Sequence, residues 1–141
     1  MLSLNQRPNL FIVGNPKSGT TALFFFLKAH PEIFMSEVKE PMYFAKDFIQ
    51  ESDDFHGENN IHFKTRTMDD YMALFENAHE KIQGEASARY LMSQKAPLAI
   101  YEFNPHARII IMLRNPVEFA YSWYKQSFVT DGEYIKPFRK A

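Results

Sequence analysis

With 141 residues and no cysteine, the chain has room for one domain, 1–141, and for a real core, and it excludes disulfides and thiolate metal sites. Its 16 Lys+Arg against 17 Asp+Glu leave a formal charge of −1, which offers no electrostatic case for nucleic acid and leaves only a local basic pocket open. The N-terminus lacks a basic n-region and a long apolar h-region, and no apolar run approaches the ~20 residues of a membrane span, so the expectation is a soluble, cytoplasmic protein.

Residues 9–13, Asn-Leu-Phe-Ile-Val, form a short unbroken apolar run that suits a strand covered on both faces in a parallel sheet. Gly14-Asn15-Pro16-Lys17-Ser18-Gly19-Thr20-Thr21 follows, and then the apolar run 22–27, so the order is strand, phosphate loop, helix. Gly14 and Gly19 lack the Cβ that keeps backbone N–H groups from closing on an anion, and Ser18, Thr20 and Thr21 add hydroxyl donors. Thr20 and Thr21 fall at the helix start, where first-turn N–H groups have no intrahelical partner and the macrodipole is positive. The nucleotide triphosphatase pattern puts lysine directly after the second glycine. Here Thr20 takes that place and Lys17 lies inside the loop, from which it can reach along a phosphate towards the group bonded to it.

The helix opened by Thr20 is apolar on nearly every side through Leu27 and is expected to be buried against the sheet; His30-Pro31 ends it. His30 is a candidate base or, at a helix C-terminus beside proline, a capping residue. Residues 33–35 make a short strand leading to Lys39-Glu40-Pro41. A carboxylate bordered by Pro41, Tyr43 and Phe44 is a candidate for acid-base work; the alternative is an exposed loop glutamate paired with lysine. Residues 50–60 are acidic and rich in turn formers and are expected to be an exposed loop. His56 and His62 flank its end, but no known ligand spacing supports a metal site.

A helix is predicted over 67–78, with Thr67 as its cap, Asp69 and Asp70 in the first turn, and Met68, Tyr71, Met72 and Phe75 at core spacing. Residues 81–87 read as a weaker strand, and Pro97 opens a short helix through Phe103. The β-branched run 108–113 predicts a second doubly buried strand. After it Asn115 is a good N-cap, Pro116 suits the first helical position, and Glu118 completes a capping-box-like pair with Asn115. Arg114 is thereby placed at the carboxyl end of a parallel strand, where open α/β sheets bind ligands, and Ser122 lies about two turns along the helix. Asp131-Gly132 marks a turn, and residues 136–141 form a basic tail.

Pro16-Lys17-Ser18-Gly19-Thr20-Thr21 resembles the 5'-phosphosulfate loop of sulfotransferases that use 3'-phosphoadenosine 5'-phosphosulfate (PAPS). The segment from Leu113-Arg114-Asn115-Pro116 to Tyr121-Ser122 resembles their 3'-phosphate site, and Lys39-Glu40 resembles the lysine-glutamate stretch of glycosaminoglycan-type and bacterial members, where the glutamate is the general base. Glu85, Ser87 and Tyr90 resemble the loop near the sulfuryl group and acceptor, with Ala86 where many relatives carry a second lysine. The resemblance implies a P-loop-like three-layer α/β fold with a central parallel sheet, incomplete at the C-terminus. It implies Lys17, Ser18, Gly19, Thr20, Thr21, Arg114 and Ser122 as PAPS-binding residues, Lys17 and Glu40 as catalytic, and Ser87 and Tyr90 as acceptor contacts. The implied reaction transfers a sulfuryl group to a hydroxyl or amine of a carbohydrate or small molecule, with no metal. Because such domains generally continue further, the chain alone is expected to be inactive or nearly so and to self-associate through unpacked apolar surface. The alternatives are a nonenzymatic nucleotide-binding or interaction module and a P-loop nucleotide kinase.

Overall fold

The strand β1 (Leu10–Gly14) is buried at all five positions, and the rest of the chain is layered about it. The computed structural model describes residues 7–58 and 61–130. The expected turn at Asp131-Gly132 and the tail 136–141 lie outside the described residues. β2 (Ile33–Met35), β3 (Ile82–Ala86) and β4 (Arg108–Met112) join β1 in a four-stranded, all-parallel sheet of order β2-β3-β1-β4. Leu10 pairs with Gly84 on one side and with Arg108 on the other.

Successive side chains of a strand point to opposite faces, and β1 divides the core accordingly. Phe11 and Val13 pack with Met42, Phe44, Tyr71 and Phe103 on one side; Leu10 and Ile12 pack with Phe24 and Met35 on the other. The first face is covered by α3 (Met68–Ala73) and α4 (Ala96–Phe103), the second by α1 (Thr20–Lys28), which gives the expected three layers. α3 starts as expected, with Thr67 Oγ1 accepting from the Asp70 amide at 3.0 Å and the Asp70 carboxylate accepting from the Thr67 amide at 2.9 Å. It is shorter than predicted; beyond Ala73 the chain continues in tighter i to i+3 turns as far as Ala78.

Three expectations are corrected. α1 is not buried all round, since Phe24 is covered while Phe25 and Phe26 remain 59% and 77% exposed. β4 is not doubly buried either, because it is an edge strand with Ile109 and Ile111 half exposed. The acidic stretch expected as a loop is mostly helix, α2 (Lys46–His56). Its apolar face, Phe48 and Ile49, turns inward, and its acids have partners elsewhere in the fold. Asp47 accepts from Ser93 Oγ at 2.6 Å and from the Gln94 amide at 2.7 Å, and Asp53 takes both ends of the Arg66 guanidinium at 2.8 Å. Gly57, with φ at 87°, then ends the helix.

At Gly14 β1 has no room for a side chain against β4, for a Cβ built there would stand 2.1 Å from the Met112 carbonyl oxygen. Gly14→Ala must therefore push β4 away. The expected loss is about 1–3 kcal/mol, typical of overpacking, read as a lower urea midpoint; a midpoint equal to wild type would contradict this strand contact.

Candidate active site

The phosphate loop begins where β1 ends. The Asn15 amide donates to the Met112 carbonyl at 3.3 Å, Lys17 takes a left-handed turn at φ 66°, and Gly19, at φ 89°, is the N-cap of α1. Gly19 is needed for that φ rather than for space, since a Cβ would meet only the Met112 methyl at 3.5 Å. No side chain caps α1, so the first-turn amides of Thr20, Thr21 and Ala22 are left for a ligand at the positive end of the helix. The Ser18 hydroxyl is buried in the same loop with no hydrogen-bond partner, an uncommon state for a polar atom. A helix N-terminus without a capping side chain, the buried Ser18 hydroxyl and the cation of Lys17 form a donor set that fits a phosphate or phosphosulfate.

Arg114 follows β4, which pairs with β1, and so it reaches the loop across 97 positions of sequence. Its Nη1 donates to the Lys17 carbonyl at 3.1 Å and its Nε to Glu118 at 3.2 Å. Glu118 therefore does not complete the capping box expected with Asn115; the nearby guanidinium takes its carboxylate instead. Asn115 does cap, accepting from the Val117 amide at 2.9 Å at the start of α5 (Pro116–Thr130). Ser122 of α5 lines the same cleft as Lys17, Thr20, Thr21 and Arg114, a cavity of about 900 Å³.

Glu40 also lines this cleft. Its Oε1 accepts from Lys39 Nζ at 2.7 Å and its Oε2 from the Ala88 amide at 2.9 Å, while its own amide donates to the Ala86 carbonyl at 2.9 Å. Glu40 and Met42 both have positive φ, 57° and 59°, on either side of Pro41. Such backbone costs about 1–3 kcal/mol per residue and persists only where surrounding contacts hold it. His30 lies elsewhere, in the turn between α1 and β2, accepting from the Glu32 amide at 3.2 Å. Among the described residues no group of three His, Asp or Glu side chains is placed to hold a metal ion.

Ser87 and Tyr90, expected beside the acceptor, are almost wholly buried, and both hydroxyls donate to Glu85, at 2.7 and 2.9 Å. Direct contact with an acceptor is thus not what this geometry provides. Tyr71 adds a third hydroxyl to Glu85 at 3.1 Å. The sequence reading missed this cluster, although a charged residue inside a strand flanked by two others is a signal that partners must exist nearby. It also missed Arg89, on the 3-10 helix Ala88–Leu91, whose side chain lines the cleft near Glu40.

Residues 8–140 match the model of the Sulfotransferase family. The chain belongs to that family. Over 124 residues it is 37% identical to human bifunctional heparan sulfate N-deacetylase/N-sulfotransferase 3, which covers 86% of this chain and 13% of that protein. The human protein numbered 1 in the same series is 34% identical over 127 residues, again 13% of its length. The sulfotransferase fold is shared with the crystal structure of a sulfotransferase from Alicyclobacillus acidocaldarius, with a TM-score of 0.77 and 36% identity over 95% of this chain and 55% of that one. The chain thus spans about half of that solved sulfotransferase and a much smaller share of its curated relatives. Among the described residues no helix is long and apolar enough to cross a membrane.

Burial pushes Glu85 up to about 7; the hydroxyls of Ser87, Tyr90 and Tyr71 oppose that rise and the charge of Glu40 adds to it. The native state therefore holds a proton that the unfolded chain releases near 4.5, and this contribution to stability is complete below pH 4.5 and lost as pH rises through about 7. Relative to Glu85→Gln, which cannot titrate, wild type is expected to lose on the order of 3 kcal/mol across that window. Urea unfolding of both proteins from pH 4.5 to 8 measures this; parallel curves would contradict it.

Proposed function

We propose that this chain binds PAPS and takes part in transferring its sulfuryl group to a hydroxyl or amine acceptor. The observation that carries this reading is the convergence of loop residues Lys17, Gly19, Thr20 and Thr21 with Arg114, Ser122 and Glu40 on one cleft. The loop amides and Lys17 would receive the 5'-phosphate end, and the Arg114 guanidinium and the Ser122 hydroxyl the 3'-phosphate. The acceptor lone pair forms the new bond to sulfur while the bond from sulfur to the phosphate oxygen breaks, and adenosine 3',5'-bisphosphate departs. Glu40 takes the proton released by the acceptor, and Lys17 offsets the charge that grows on the departing phosphate. Positioning and fixed charge do most of this work. The similarity to heparan sulfate N-deacetylase/N-sulfotransferases favours an amine on a carbohydrate as the acceptor.

A kinase reading fits less well. It needs a lysine where Thr20 stands buried, and an acid for magnesium where β4 instead leads to Arg114.

Calorimetry with adenosine 3',5'-bisphosphate tests the nucleotide site. Lys17→Ala and Arg114→Ala should each weaken binding about tenfold or more, the loss of a charge-assisted contact. Unchanged affinity in both would sink the assignment. In an active polypeptide that carries this chain, Glu40→Gln should lower turnover about 100-fold while leaving nucleotide affinity within twofold. Wild-type turnover across a pH series would reduce Glu40 to a loop residue.

A further inference from the structure

The segment that presents Glu40 carries two left-handed residues, Glu40 and Met42, and has no regular structure of its own. What holds it is a pair of hydroxyl bridges. The Met42 amide donates to Ser87 Oγ at 3.1 Å, and Ser87 Oγ donates onward to Glu85 Oε2 at 2.7 Å. The Phe44 amide donates to the Tyr90 hydroxyl at 3.3 Å, which donates onward to Glu85 Oε1 at 2.9 Å. Both bridges run in one direction, from amide through hydroxyl to carboxylate. An amide can only donate, so each hydroxyl accepts on that side and must place its own proton on an acceptor. Glu85, with two oxygens and no exposure to solvent, is that acceptor for both.

We propose that Ser87 and Tyr90, anchored on Glu85, are positioning residues that fix the carboxylate of Glu40 by holding the amides of Met42 and Phe44. The clamp acts on both ends of the turn. At the near end Glu40 is bonded to the backbone of Ala86 and Ala88, which flank Ser87; at the far end Met42 and Phe44 are bonded to the two hydroxyls. Residues 86–90 therefore touch the Glu40 segment on both sides of its strained turn. Tyr71 bonds the same carboxylate but holds no amide of the segment, so it supports Glu85 without belonging to the clamp. The role assigned to the clamp rests on the reading of Glu40 as the proton acceptor, whereas the geometry it maintains does not.

Amide hydrogen exchange on the full chain tests the geometry independently of activity. In Ser87→Ala, exchange at Met42 and at Ala88, whose amide bonds Glu40, should quicken about tenfold, the loss of one net hydrogen bond, while Phe11 and Ile12 of β1 keep wild-type protection. Tyr71→Phe, which removes a hydroxyl from Glu85 and keeps the ring, should change the Met42 and Ala88 rates by less than about threefold. In an active polypeptide that carries the chain, Ser87→Ala should lower kcat about tenfold with KM for PAPS within twofold, as expected when a base is misplaced and nucleotide binding is not. Unchanged exchange at Ala88 in Ser87→Ala overturns the proposal. Equal effects of Ser87→Ala and Tyr71→Phe, or loss of protection in β1 as well, overturn it too by showing only general support of the core. If exchange behaves as expected but Glu40→Gln retains turnover, the clamp stands and the assignment of Glu40 as base fails.

Discussion

The contact on which the cleft depends is the close approach of β4 to β1 at Gly14. The space for a Cβ there is filled by the Met112 carbonyl oxygen, and that same carbonyl accepts from the Asn15 amide as the chain leaves the strand. Two parallel strands joined in this way must end side by side, so the segments that follow them emerge at one edge of the sheet. The phosphate loop and Arg114, far apart in sequence, meet there, and the bond from the guanidinium to the Lys17 carbonyl ties them together. A helix N-terminus without a capping side chain and an arginine at a strand end are each common. Placed within one cleft they bring two sets of cationic and N–H donors together at the separation the sheet imposes.

The part of the cleft that bears Glu40 is built on another principle. β3 lies between β2 and β1 and is buried, yet it carries a carboxylate, and burial of an unpaired charge costs several kcal/mol. Three hydroxyls offset that cost at Glu85, and two of them extend its hold to a neighbouring segment. The wall that presents Glu40 is thus organised by a polar network inside the core, whereas the loop wall is organised by backbone geometry and exposed cations. Lys17, Arg89 and Arg114 face the cleft of a chain whose formal charge is only −1, so the positive potential is local rather than a property of the whole surface.

Apolar surface remains outside this arrangement. Phe25 and Phe26 of α1 and Ile109 and Ile111 of β4 are largely open, although the strand faces of a parallel sheet are ordinarily covered. β4 is also an edge, with backbone groups along one side that β1 does not pair. The solved sulfotransferase that shares this fold is nearly twice as long as the part matched here.

The sequence by itself determined what depends on neighbours along the chain. Glycines at strand end and helix start, the unpartnered first-turn amides, Thr67 as a cap with Asp70 in the first turn, and unbroken apolar runs all act within a few residues and were legible as loop, helix and strands. Tertiary structure decided the rest, either by supplying a partner from a distant segment or by choosing which of several nearby partners is buried with the side chain. The polar stretch 50–56 became helix because it continues a helix begun at 46–49, where Ser93 and Gln94 bond Asp47 and the core takes Phe48 and Ile49, and because Arg66 takes Asp53. Glu118 bonds the Arg114 guanidinium, a neighbour in sequence that the distant Lys17 carbonyl also holds, and Ser87 and Tyr90 bond nearby Glu85 in a stretch buried under the distant Met42 and Phe44 amides. A hydrogen-bonding side chain satisfies whichever strong partner the fold brings within about 3 Å, and local sequence holds no record of a partner brought there by the pairing of distant strands.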